Sequence, residues 1–356
     1  MKKENVVVRL LARLGAFSLA VAAVLSGAAA SAQDASLKSP EELAALLKAR
    51  IKAEWDIPDV LPDRVLACEQ RAHKYVIFKT NADWNDPDAI VWEWVPSDAL
   101  PADQAKWFGA PSECKPALGG KAILAAASGG GVALVRISDK KILFYGLAGG
   151  NTHSIAMFPD GNFVSASSTG KYLALFATKG NPAVDESAEP VEPTPVASKI
   201  EFPDAHGVVW DAKRQILWAH GGRFIVGYEY AGSKEAPELK EIFRLDVADT
   251  TATDGHDLIP APGYDALMTT GAGINVFDPE TRTVVSVSKV SRIKSISLSG
   301  NGATLVQRAE EEWWSDKIYF EDAKDTQVGQ YNGARFYKAR WFLPNTFSEP
   351  DANAAE

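Results

Sequence analysis

Three stretches of this 356-residue chain follow one plan, and that plan limits the fold more than any other feature. Each opens on a histidine and continues as a short apolar strand, a turn, a second strand, a small-residue turn and a third strand. His153 leads to Phe163-Val164-Ser165-Ala166-Ser167 and then to Tyr172-Leu173-Ala174-Leu175-Phe176. His206 leads to Ile216-Leu217-Trp218-Ala219-His220 and to Phe224-Ile225-Val226-Gly227-Tyr228. His256 leads to Ala266-Leu267-Met268-Thr269-Thr270 and to Ile274-Asn275-Val276-Phe277. A fourth strand follows each unit, clearest as Thr283-Val284-Val285-Ser286-Val287. Four antiparallel strands in roughly 40 to 50 residues is the size of a propeller blade.

The same register continues on both sides. Downstream, Lys294 opens a unit that runs through Ala303-Thr304-Leu305-Val306-Gln307; upstream, Lys115 opens one that runs through Ala122-Ile123-Leu124-Ala125-Ala126. Three further strands lie near residues 65–94, and their missing inner strand is supplied by Lys338-Ala339-Arg340-Trp341-Phe342-Leu343. Joining the two chain ends in one sheet leaves no free edge at the seam. The expected fold is therefore all-β: a six-bladed β-propeller over residues 64–343, closed by a C-terminal inner strand. The inner strands are expected to open on Lys338, Lys115, His153, His206, His256 and Lys294.

Outside the repeats the chain has three other regions. Lys2, Lys3, Arg9 and Arg13 precede an apolar, small-residue run over 14–29, and Ala30-Ser31-Ala32 offers an A-x-A cleavage site. A signal peptide over 1–32 implies export to the periplasm or beyond, with no membrane span in the mature chain. A helical segment is expected within 33–63: Ser39-Pro40-Glu41-Glu42 reads as a helix start, and Leu43, Leu46, Leu47 and Ile51 share one face. The polar tail over 344–356 reads as disordered. A net charge of −9 argues against a nucleic-acid partner. The two cysteines, Cys68 and Cys114, are compatible either with a disulfide or with two buried thiols.

In an antiparallel meander the start of the first strand and the end of the second lie at the same end of a blade. The histidines therefore share a face with the turns that contain His220, Gln307 and Trp313-Trp314. Three neutral imidazoles that converge with open positions make a catalytic style of metal site, so His153, His206 and His256 are the candidate ligands. The ion would be divalent: Mn, Zn, Fe, Ni or Ca. Lysines opposite such an ion would suit an acidic glycan or another small anion. Lys294, Lys338 and His220 are then the candidate proton-transfer groups. Lys115, Arg340, Gln307, Trp313 and Trp314 are the candidate substrate contacts. On this reading the protein is a monomeric, secreted, metal-dependent lyase or hydrolase of acidic carbohydrate. The alternatives are a non-enzymatic glycan- or envelope-binding propeller, and a protein-interaction scaffold whose histidines are structural.

The set Pro111-Ser112-Glu113-Cys114-Lys115, Asn151-Thr152-His153, Asp204-Ala205-His206-Gly207, Gly255-His256-Asp257, Lys294-Ser295-Ile296 and Tyr337-Lys338-Ala339-Arg340 resembles a family of exported bacterial propellers of unknown function. That resemblance implies six blades and no particular activity. More distantly, the histidine ring resembles the oligogalacturonate lyase and streptogramin lyase propellers. In the former, a divalent metal on the axis is held mainly by histidines. Those propellers have seven blades, so the likeness is one of analogy.

Overall fold

A computed structural model describes residues 39–50, 57, 60–182, 192–322 and 324–349. The expected signal peptide lies outside the described residues, as do Ile51 and residues 350–356. The first element, α1 (Pro40–Arg50), begins on a reciprocal cap. The Ser39 N–H donates to Glu42 Oε2 at 2.8 Å, and the Glu42 N–H donates to Ser39 Oγ at 3.2 Å. Its Leu43, Ala44 and Leu47 pack on the fifth blade, against Ala266, Val276 and Val287.

Among the described residues, twenty-four strands form six four-stranded antiparallel sheets. Strands β1–β3 (64–94) are the outer three of blade 1. Blades 2 to 6 are β4–β7 (111–147), β8–β11 (152–201), β12–β15 (205–246), β16–β19 (257–288) and β20–β23 (293–330). The last strand, β24 (Phe336–Trp341), returns to pair with β1 as the inner strand of blade 1. Inner strands meet in sequence, β24 with β4, β4 with β8, β8 with β12, β12 with β16, β16 with β20, and β20 with β24, so the ring closes at six. This is the propeller expected from the repeats, with the expected C-terminal closure.

Apolar side chains between neighbouring blades hold the ring together. Phe144 of blade 2 stacks on Phe163 of blade 3 at 3.8 Å, and Trp218 of blade 4 meets Phe277 of blade 5 at 4.9 Å. Trp92, Trp94 and Trp210 are likewise buried between sheets. Near the axis the packing leaves little room. A Cβ on Gly207 of β12 (Ala205–Asp211) would lie 2.7 Å from Leu258 Cβ and 2.9 Å from its backbone N. Gly207→Ala is therefore expected to destabilise the protein by about 1–3 kcal/mol through overpacking at the blade 4/blade 5 seam. An unchanged urea midpoint would count against this.

The chain after β24 does not start as the disordered tail expected from residue 344. On the face opposite the histidines, Ser348 Oγ donates to the Trp210 carbonyl at 2.8 Å. The Glu349 carboxylate accepts from the Leu118 and Gly119 N–H groups at 3.0 and 3.1 Å. Residues 344–349 thus run from blade 1 to blades 4 and 2 across that face. Among the described residues no helix is long and apolar enough to cross a membrane.

Candidate functional site at the axial mouth

A repeated backbone device aims side chains at the axis. Two residues before the mouth position the chain takes a left-handed conformation, at Ala110 (φ 54°), Asn151 (φ 59°), Asp204 (φ 54°), Asp254 (φ 60°) and Arg292 (φ 63°). Asn and Asp tolerate this region best, which accounts for their place ahead of the three histidines. A register shift follows in β4, β8, β12 and β20, where Ser112, His153, His206 and Lys294 are the extra residues. A bulge of this kind turns a side chain out of the regular pleat. In blade 1 the shift leaves Tyr337 and Lys338 opposite Cys68 alone. The mouth ring is therefore Ser112, His153, His206, His256, Lys294 and Tyr337.

Two of the expected openings are thereby corrected. Lys115 lies three residues deeper than Ser112 along β4 (Pro111–Ala117), and Lys338 lies one residue deeper than Tyr337. The three histidines and Lys294 stand where the sequence register put them. His153 and His206 stack with ring centroids 4.5 Å apart, and His206 meets His256 edge to face at 5.0 Å. Tyr337 reaches His153 at 5.3 Å across the short side chain of Ser112, whose Oγ donates to the Thr152 carbonyl. Lys294 Nζ donates to His256 Nε2 at 2.8 Å. His206 Nδ1 donates to the Asp204 carbonyl at 2.8 Å, which leaves its Nε2 lone pair facing outward from that bond. The buried Nδ1 atoms of His153 and His256 have no protein partner.

Under this ring lies a buried layer of charge that sequence reasoning only partly found. Arg340 Nη2 donates to Glu113 Oε1 at 2.8 Å and to Asp257 Oδ1 at 2.7 Å. Lys338 Nζ reaches Glu113 Oε2 at 3.2 Å, Asp257 Oδ1 at 3.4 Å and the His153 carbonyl at 3.0 Å. Lys115 Nζ donates to Ser154 Oγ, the Ile155 carbonyl and the Val208 carbonyl at 2.9, 3.1 and 2.8 Å. The Ile296 N–H donates to Asp257 Oδ2 at 3.2 Å. Five ionisable side chains from blades 1, 2 and 5 thus fill the axis with hydrogen bonds to blades 3, 4 and 6. Glu113 and Tyr337 gave no signal of their own in the sequence. Their place follows from the bulges, and a one-residue bulge is invisible to strand periodicity.

These surroundings set the protonation states. Burial would raise the Glu113 carboxyl, but the charges of Lys338, Arg340 and Lys115 outweigh it and hold the group down at about 2. Burial brings Lys115 down to about 8 against the pull of Glu113. Burial, assisted by neighbouring histidines and lysines, lowers His153 well below its ordinary value. It brings His206 to about 3 and His256 to about 2. Lys294 is also lowered, chiefly by burial. At neutral pH the mouth is a set of uncharged imidazoles beside Lys294, above a layer in which Lys115, Lys338 and Arg340 meet Glu113 and Asp257.

The remaining candidates lie elsewhere. His220 has both ring nitrogens engaged: Nε2 with the Ala252 carbonyl at 3.1 Å, and Nδ1 with Thr269 Oγ1. A Cβ on Gly255 would sit 2.3 Å from its ring, so His220 packs under the residue that precedes His256 and positions that turn. Gln307 is fully buried, with its amide donating to the Phe336 carbonyl at 2.8 Å. Trp313 is 48% exposed and donates to Gln70 Oε1 at 2.9 Å. Trp314 lies under Arg335, 4.7 Å from ring centroid to guanidinium, in a separate cleft of about 290 Å³ with Arg71 and Glu310. Arg340 contacts only groups below the mouth. Of the groups expected to touch a ligand or move its proton, Lys294 is the one placed among the histidines.

Residues 21–355 match DUF6528, a family of unknown function. The chain belongs to the DUF6528 family. No curated protein matches the sequence. Two solved structures are among those similar to this DUF6528 protein. Dihydro-heme d1 dehydrogenase NirN in complex with DHE is 16% identical, with a TM-score of 0.40, over 79% of this chain and 57% of that one. The chain therefore spans little more than half the length of NirN. A protein of unknown function from Bacteroides caccae is 13% identical, with a TM-score of 0.48, over 79% of this chain and 98% of that one. Neither likeness bears on what the mouth binds.

Proposed function

We propose that this DUF6528 protein is an exported propeller whose axial mouth binds a small carboxylated ligand, most simply an acidic sugar. The carrying observation is Lys294 on His256, above an axial layer whose two carboxylates are already bonded to Lys338 and Arg340. A ligand carboxylate would meet Lys294 without displacing a protein anion from that layer. The outward-facing Nε2 of His206 would accept from a ligand hydroxyl. Asp204 and Asp254, 48% and 69% exposed at the rim, would accept hydroxyl groups. The lyase form of this reading would need Lys294 as the free amine, because an ammonium group that binds the carboxylate has no lone pair to take a proton.

A divalent ion on His153, His206 and His256 is the competing proposal, and the uncharged imidazoles favour it. Against it, among the described residues no three His, Cys, Asp or Glu side chains are placed to hold a metal. Lys294 also donates to His256 Nε2, which occupies one of that ring's two possible donor atoms. The donors as placed therefore do not fit a metal.

Titration calorimetry with galacturonate and glucuronate, glucose as the neutral control, and protein before and after EDTA separates these readings. Binding of the acids, but not of glucose, should survive chelation. Lys294→Met should weaken it at least about tenfold, the loss of one charge-assisted bond. Equal binding of glucose, or no binding across uronic acids, would sink the anion reading. Stoichiometric metal in the purified protein, with binding lost on chelation, would establish the other.

A further inference from the structure

We propose that Cys68 and Cys114 close a disulfide while the chain folds, and that this bond staples blade 1 to blade 2. Cys68 lies on β1 (Arg64–Glu69) and Cys114 on β4, 46 positions apart in sequence and on neighbouring blades. Their sulfur atoms stand 2.8 Å apart, nearer than unbonded sulfur atoms ordinarily approach and within a small side-chain adjustment of a bond of about 2.04 Å. Both thiols are fully buried, Cys114 Sγ lies against the Lys338 carbonyl, and Tyr75 and Ile77 pack in the same cluster. Burial also raises the Cys68 thiol well above its ordinary range, so little Cys68 thiolate forms in the closed ring.

This placement sets the timing. Blade 1 cannot close until β24 arrives from the far end of the chain, and until then the β1 and β4 thiols are open to a small disulfide or a thiol oxidase. The thiolate of one cysteine attacks the oxidant's disulfide, giving a mixed disulfide and one released thiol. The other cysteine then attacks the protein sulfur of that mixed disulfide, forming the Cys68–Cys114 bond and releasing the second thiol. Two S–H bonds are lost and one S–S bond forms, while the two electrons and two protons leave on the reduced oxidant. Ring closure then shields the bond from reductant. The position matters because Glu113 and Lys115, which flank Cys114, both belong to the axial charge layer.

The test uses the full chain, unfolded under reducing conditions and refolded with oxidised glutathione. A folded, reduced sample receives the same oxidant in parallel. After denaturation, alkylation and peptide mapping, the refolded protein should carry no alkylated cysteine and one Cys68–Cys114 cross-linked peptide. The folded sample should gain that bond at least tenfold more slowly. The linked protein should melt on the order of 5 °C higher than the same protein refolded without oxidant and kept reduced, a difference absent from the Cys68→Ser/Cys114→Ser variant. Two free thiols, or a glutathione adduct on each cysteine, after refolding would overturn the disulfide. Equal oxidation rates would overturn its timing, and equal melting points its role as a staple.

Discussion

Arg340→Met should cost the folded protein about 3–5 kcal/mol, among the largest losses any single substitution here can cause. The guanidinium bonds Glu113 and Asp257 at once in a place closed to water, so its removal takes the shortest hydrogen bond from each of two buried carboxylates. The attraction within such a layer does not exceed the cost of burying its charges by much. The layer therefore adds little net stability, yet it is severe to unbalance. Adding Glu113→Gln to Arg340→Met removes one of the stranded anions. The double variant should accordingly be more stable than the sum of the two single losses implies, by at least about 1 kcal/mol. Urea unfolding of the four proteins in this cycle measures the coupling. Additive losses, or a single loss below about 1 kcal/mol, would show that the layer does not act as a unit.

Mild acid should unfold this propeller. His153, His206, His256 and His220 are all held uncharged by burial, with His220 brought to about 4 despite its carbonyl partners. Above the ordinary histidine value of about 6.5 they are neutral in both folded and unfolded chains, and no stability depends on them. Below it the unfolded chain takes up protons that the folded one refuses. Each histidine then costs the folded state about 1.4 kcal/mol per pH unit, until its own lowered value is reached. Four such groups add up to several kcal/mol by pH 5, comparable with the whole stability of an ordinary domain. Glu113 contributes in the same direction at lower pH, as its carboxylate is protonated. Melting temperatures measured from pH 7.5 to pH 5 should fall steeply below 6.5. A triple replacement of His153, His206 and His256 by Asn should flatten that fall. A level profile in the wild-type protein would contradict the buried, neutral state of the ring.

These two expectations meet at the axis, where a ligand would also act. A carboxylate bound at Lys294 would favour its ammonium form, and binding would stabilise the folded protein by mass action. The proposed ligand should therefore raise the melting point, provided Lys294 is intact.

The family match and the closed ring agree with what the repeats announced. Strand identity, blade count, closure by β24 and the face on which the histidines sit were legible, because strand alternation and turn residues are local properties that recur in every blade. The helix start at Ser39 was legible for the same reason, since its cap spans only four residues. His153, His206, His256 and Lys294 could be placed because each is preceded by a turn that forces one entry into its strand.

Depth along the axis was decided by the tertiary structure alone. Whether Lys338 faces the mouth or lies beneath it depends on one extra residue in β24, and Lys115 lies three residues past the extra residue of β4. A bulge changes which side chain points inward without changing the hydrophobic pattern. The pairing of Glu113 and Asp257 with Lys338 and Arg340 joins residues more than 80 positions apart, and no local signal encodes it. The sequence by itself thus determined that histidines would crowd one end of a six-bladed ring. Only the closed ring decided that they stay uncharged, because their protonation depends on water excluded and on lysines brought near from other blades.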